Sequence, residues 1–167
     1  YPYECSEQTF SRLYANLLAA RILQSNPRIR PVLEAWKKAA ASGDPQAFRS
    51  KLEQNQELKN LLLQETPWVR EGQTDTERMR RLAGLFDEQK LQAETQRAIQ
   101  KLTEMQSPSG AFPWFKQMPD NRYITQLIVA GFGKLRQLGA FDATQDARTA
   151  ELLTRATAYL DRELQQD

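Results

Sequence analysis

Residues Gln106 to Phe115 read Gln-Ser-Pro-Ser-Gly-Ala-Phe-Pro-Trp-Phe. Ser107-Pro108-Ser109-Gly110 is a run of turn formers that no helix carries in its interior. Ala111-Phe112-Pro113-Trp114-Phe115 then places three large aromatics in a Pro/Gly-rich loop, and loops seldom carry so many without burying them. Both flanks return to helical spacing. Upstream, Leu91, Thr95, Ala98, Leu102 and Met105 fall four, three, four and three apart, a narrow seam suited to one neighbouring helix. Downstream, Ile124, Leu127, Ile128 and Leu135 define a helix from about Asn121 to Leu138, stopped by Gly139. The aromatic loop therefore joins two helices.

The same periodicity extends outward in both directions. Phe10, Leu13, Tyr14, Leu17, Leu18 and Ile22 form one stripe, closed by Ser25-Asn26-Pro27. Pro31 suits a first helical position ahead of Val32, Leu33 and Trp36, with Ser42-Gly43 as the stop. Asp44-Pro45 caps a third helical region running through Leu58, Leu61 and Leu62 to Thr66-Pro67. Thr76 caps a helix with Met79, Leu82 and Phe86, and Asp87 restarts it. A last helix holds Leu152, Leu153, Ala156, Tyr159 and Leu160. The reading is all-α, with six or seven helices and no strand pattern beyond the short aromatic loop.

Composition narrows the function. The 167 residues, 26% charged and 40% hydrophobic, suffice for one domain with a real core. Apolar runs such as Leu61-Leu62-Leu63 and Leu127-Ile128-Val129-Ala130 fall far short of the roughly 20 residues a spanning helix needs, so no membrane contact is expected of this segment. Twenty-three basic and twenty-one acidic residues, interspersed, give a net charge of +2, which is no footprint for nucleic acid. Histidine is absent and cysteine occurs once. Cys/His dyads, the Ser/His/Asp triad, histidine-bearing metal sites and an intrachain disulfide are thereby excluded, and no metal or cofactor is expected. The first residue is Tyr1, with no initiator Met or signal peptide, and the expectation is a piece of a longer protein.

The lone cysteine has a different chemistry within reach. Tyr1-Pro2-Tyr3-Glu4-Cys5-Ser6-Glu7-Gln8 sets it three residues before a glutamine, at the mouth of the first helix. One tight turn can bring the thiol of Cys5 to the side-chain amide of Gln8, and loss of ammonia would join them as a thioester. Such a bond is reactive because its leaving group is a thiolate, whose parent thiol has a pKa of about 8.5. With Ser6 as N-cap, the first turn's unpaired N–H groups and the positive end of the dipole would favour that thiolate. Glu7 opposes the same field and is given no catalytic role. Tyr1, Tyr3, Phe112, Trp114 and Phe115 are candidates for excluding water from the bond. An ordinary half-buried thiol is the competing reading of the tetrapeptide alone.

Cys5-Ser6-Glu7-Gln8 resembles the Cys-x-Glu-Gln thioester motif of the alpha-2-macroglobulin and complement family, and Tyr1 through Arg12 is similar to its bacterial branch, with Tyr3, Ser6 and Glu7 as supporting positions. A second stretch, Gln106 to Phe115 followed by Arg122-Tyr123-Ile124-Thr125-Gln126, resembles the Gln, Gly and aromatic turn that joins two helices in those thioester domains. With Glu65-Thr66-Pro67-Trp68 between them, the likeness runs along essentially the whole chain. It implies an alpha/alpha toroid, of which residues 1–167 would supply about three hairpins as the N-terminal part of a thioester domain in a multidomain endopeptidase inhibitor. It also implies the mechanism. A protease cleaves a bait region elsewhere, and the Gln8 carbonyl then acylates an amine or hydroxyl of the attacker while Cys5 leaves. The event is single-use capture and not turnover. The partners implied are target proteases and the parent's other domains, at an extracytoplasmic, periplasmic address that a membrane-anchored lipoprotein parent would suit.

Two other functions stand beside this one. A toroid enzyme of the terpene cyclase or prenyltransferase type would share the turns, but Asp142-Ala-Thr-Gln-Asp146 matches neither an acid nor a metal motif of such enzymes. A non-covalent helical interaction module, with Cys5 incidental, predicts that replacing Cys5 or Gln8 changes nothing.

Overall fold

The computed structural model describes residues 4–42, 84, 86–142 and 146–166, with backbone alone at 39–42. Among these residues it is all-helical. The five helices are α1 (Ser6–Ser25), α2 (Ile29–Ser42), α3 (Glu88–Met105), α4 (Arg122–Gln137) and α5 (Ala147–Leu164). The only extended pairing among them is a single antiparallel bridge between Phe112 and Asn121. The helical regions expected from Asp44 to Pro67 and from Thr76 to Leu82 lie outside the described residues.

The chain divides into two units, Tyr1–Arg21 with Gln89–Asp167, and Ile22–Glu88. The first carries a core drawn from four helices and the aromatic loop: Phe10 and Leu13 from α1, Ala98, Ile99 and Leu102 from α3, Phe112, then Ile124, Ile128, Phe132 and Leu135 from α4, with Leu152 and Ala156 from α5. The spacings of three and four that mark these positions in sequence are the buried faces in the structure. Phe10 is central, because its ring lies 5.2 Å from that of Phe132 and against the α4 backbone at Gly131. A Cβ at Gly131 would sit 2.4 Å from two carbons of that ring. Glycine here permits the close approach of α1 to α4.

Helix boundaries follow from capping chemistry. Asn121 caps α4, its Oδ1 accepting the Ile124 N–H, and the helix closes with the Ala140 N–H on the Leu135 carbonyl and the Gly139 N–H on that of Arg136. Asp146 caps α5, accepting from the Arg148 N–H at 3.2 Å and the Thr149 hydroxyl at 2.5 Å. Asp146 is therefore used as a helix cap. In the second unit α2 starts two residues before Pro31, which is tolerated because the first-turn N–H groups have no intrahelical acceptor. Ile29, Leu33 and Trp36 are buried along it, as are Leu23 and Phe86. Ile22, expected on the apolar stripe of α1, is 41% exposed and Leu23 is buried in its place. Lys37 bonds Asp87 at 3.0 Å, and that bond raises its pKa.

Tyr159 on α5 has its pKa raised, by burial first and then by the charges of Glu163 and Asp120. A raised folded-state pKa stabilises the fold fully below the ordinary tyrosine value of about 10 and loses that stabilisation as pH rises through the folded value. Urea unfolding is expected to show stability falling above about pH 10, with a shallower fall in Tyr159→Phe. Identical slopes would contradict the burial.

Candidate functional site

The site begins with where α1 starts. The Thr9 N–H donates to the Cys5 carbonyl at 3.0 Å, the first bond of the helix, which makes Cys5 the N-cap and Ser6 the first helical residue. The expectation of Ser6 as cap is corrected. The reason lies in the aromatic loop. The Ser6 N–H donates to the Trp114 carbonyl at 2.9 Å and its hydroxyl to the Pro113 carbonyl at 2.6 Å. Its side chain is taken by a partner more than a hundred positions away.

Cys5 and Gln8 close on each other as the two halves of a capping box. The Gln8 N–H donates to Cys5 Sγ at 3.4 Å, and the Cys5 N–H donates to Gln8 Oε1 at 3.2 Å. The usual box pairs a Ser or Thr cap with Glu or Gln three residues on; here sulfur replaces the hydroxyl. Two consequences follow for reactivity. A donor aimed at sulfur stabilises negative charge there, and a donor on Oε1 draws electrons from the Gln8 side-chain carbonyl carbon. Cys5 is 5% exposed, whereas Gln8 is exposed and Glu7 half-buried. Gln8 is thus the solvent-exposed residue of the pair and Cys5 the buried one.

Glu4 is the residue that sequence inspection missed. Its carboxylate is 8% exposed and pairs with Arg12 at 2.5 Å and Lys101 at 3.1 Å, with the Thr9 hydroxyl at 3.4 Å. It anchors the segment entering α1 to α3. No local pattern betrays it, since Glu4 precedes the helix and Lys101 is 97 positions on.

The aromatic loop is built from both ends. Gln106 Nε2 donates to the carbonyls of Gly110 and Leu152, both at 2.9 Å, and Arg155 donates to the Ser107 carbonyl at 2.9 Å. These bonds fasten the Ser107–Gly110 turn to α5. Phe112 is fully buried in the core, its N–H on the Thr125 hydroxyl at 2.9 Å. Trp114 and Phe115 are 36% and 44% exposed. The loop's link to the Cys5 turn thus runs through the carbonyls of Pro113 and Trp114. Tyr1 and Tyr3 lie outside the described residues. The structure thereby joins the two sequence motifs, Cys5–Gln8 and Gln106–Phe115, at Ser6.

Comparison with protein-family models, curated proteins and solved structures returned no match. Among the described residues no helix is long and apolar enough to cross a membrane.

Proposed function

We propose that this chain is the N-terminal part of the thioester domain of a bacterial alpha-2-macroglobulin-like endopeptidase inhibitor, acting as a single-use covalent trap. The observation that carries the reading is the reciprocal Cys5–Gln8 pair, in which the Gln8 backbone N–H donates to Cys5 sulfur and the Cys5 backbone N–H donates to the Gln8 carboxamide oxygen, all within one helical turn. The chemistry balances in two steps. Cys5 sulfur adds to the Gln8 side-chain carbonyl carbon, the C–N bond breaks, and ammonia leaves with the thiol proton. An amine or hydroxyl of the attacking protease then adds to the same carbon, the C–S bond breaks, and Cys5 takes up the proton as a free thiol.

Several features support this reading. Pre-orientation within one turn lowers the entropic barrier to the first step. The Cys5 N–H on Oε1 stabilises charge developing on that oxygen in both steps. The exposed Gln8 gives a macromolecular nucleophile access, while a buried sulfur is suited to leave into the protein. The fold belonging to this reading is a partial alpha/alpha toroid of about three hairpins, spanning residues 1–167 within a multidomain parent, in a periplasmic setting that a membrane-anchored lipoprotein parent would suit.

The test is capture. Whole parent protein incubated with an active serine protease is expected to yield an adduct that survives boiling in detergent and reductant, and Cys5→Ala and Gln8→Ala are expected to yield none. Equal adduct from Cys5→Ala would overturn the reading. A second reading has an observation of its own: a capping box holds a helix terminus without any covalent step, as an interaction module with an incidental cysteine would use it. That reading expects Cys5→Ser to behave as wild type in every functional assay.

A further inference from the structure

We infer that Ser6 is a latch controlling solvent access to Cys5, and so a positioning residue for whatever chemistry the Cys5–Gln8 pair performs. Resemblance treats this as the free position of the tetrapeptide, yet Ser6 is 0% exposed. Both of its polar groups reach the same segment: the hydroxyl to the Pro113 carbonyl at 2.6 Å and the N–H to the Trp114 carbonyl at 2.9 Å. Its hydroxyl also lies 3.9 Å from Met105 Sδ at the end of α3. One residue therefore ties the first turn of α1 to the aromatic loop and sits against a third element.

The consequence falls on the neighbouring cysteine. Cys5 is the N-cap, the position where helices fray most readily, and yet it is 5% exposed. Its own hydrogen bonds are local, to Gln8 and from the Thr9 N–H, and would fray along with the turn. The bonds that hold the turn to the rest of the first unit come from Ser6 on one side and Glu4 on the other. Alanine at position 6 removes the hydroxyl and leaves the Pro113 carbonyl, on a buried residue, without that donor. An unpaired buried carbonyl is relieved by water, so the loop and the turn separate more often and Cys5 is uncovered.

Peptide mass singles out Cys5, the one cysteine of residues 1–167. Whole protein is reacted with iodoacetamide under native conditions, before and after methylamine, and Cys5 alkylation is followed by peptide mass. After methylamine, Ser6→Ala is expected to alkylate about tenfold faster than wild type, the factor corresponding to one lost buried hydrogen bond. Ser6→Thr, which keeps the hydroxyl, should return most of the protection. Ala156→Gly in α5 weakens the same core without touching the latch and should leave the rate near wild type. An unchanged rate in Ser6→Ala, or an equal rise in Ala156→Gly, overturns the latch. The latch, as control over a thioester's lifetime, rests on the covalent reading, and the two fail differently. Alkylation of fresh wild type without methylamine overturns the thioester, while the Ser6→Ala to wild-type ratio still decides the latch.

Discussion

Replacing Phe112 by alanine is expected to lower the unfolding free energy by about 4 kcal/mol. The ring is fully buried in the core shared by α1, α3, α4 and α5, and it is the one large side chain that the aromatic loop contributes to it. Removing it deletes the transfer free energy of an aromatic group and leaves a cavity that four helices cannot close without moving together. The loss also propagates locally. Phe112 is bonded through its N–H to Thr125 and through its carbonyl to the Asn121 N–H, so it registers the loop against the cap of α4. Urea unfolding followed by circular dichroism should show the midpoint falling with the slope preserved. A loss below about 1 kcal/mol would mean that the ring is not the keystone its burial makes it.

Gly110→Ala is expected to cost about 3 kcal/mol, from two sources that add at one atom. Gly110 has φ +97, where an L side chain is strained. A Cβ there would also lie 2.3 Å from the Arg155 carbonyl oxygen, a backbone atom of α5 that cannot swing aside. The turn must then leave α5, and the Gln106 and Arg155 bonds that fasten it would lengthen. Gly133 in α4 supplies the contrast, because a Cβ there meets nothing within 4 Å. Gly133→Ala should be neutral or stabilising by up to about 1 kcal/mol. Equal effects at the two positions, read from paired unfolding curves, would contradict the close packing of the turn on α5.

Much of the fold was legible because helices announce themselves locally. Of the seam Leu91, Thr95, Ala98, Leu102 and Met105, all are buried except the half-buried Thr95, and Asn121 and Gly139 bound α4 as their chemistry dictates. The misses at the site are long-range. Local rules reward serine at a helix start and so point to Ser6 as the cap. The structure gives that place to Cys5, since a carbonyl from Pro113 claims the serine hydroxyl. Glu4 was invisible because its partners come from the middle of α1 and from α3. The aromatic loop was expected to bury its rings, and it buries Phe112 while Trp114 and Phe115 remain partly open. Composition calls for burial in such a loop without saying which ring enters the core.

These features converge on one turn of helix. A cysteine cap and a glutamine three residues later hold each other by two hydrogen bonds, while Ser6 between them anchors the turn to the aromatic loop. The intact mass of freshly purified, unheated parent protein, with and without methylamine, tests the covalent claim most directly. A mass short by one ammonia is expected, rising by the mass of one methylamine on treatment as the amine joins Gln8 and one titratable thiol is released at Cys5. An unmodified mass with Cys5 already free before methylamine would contradict it.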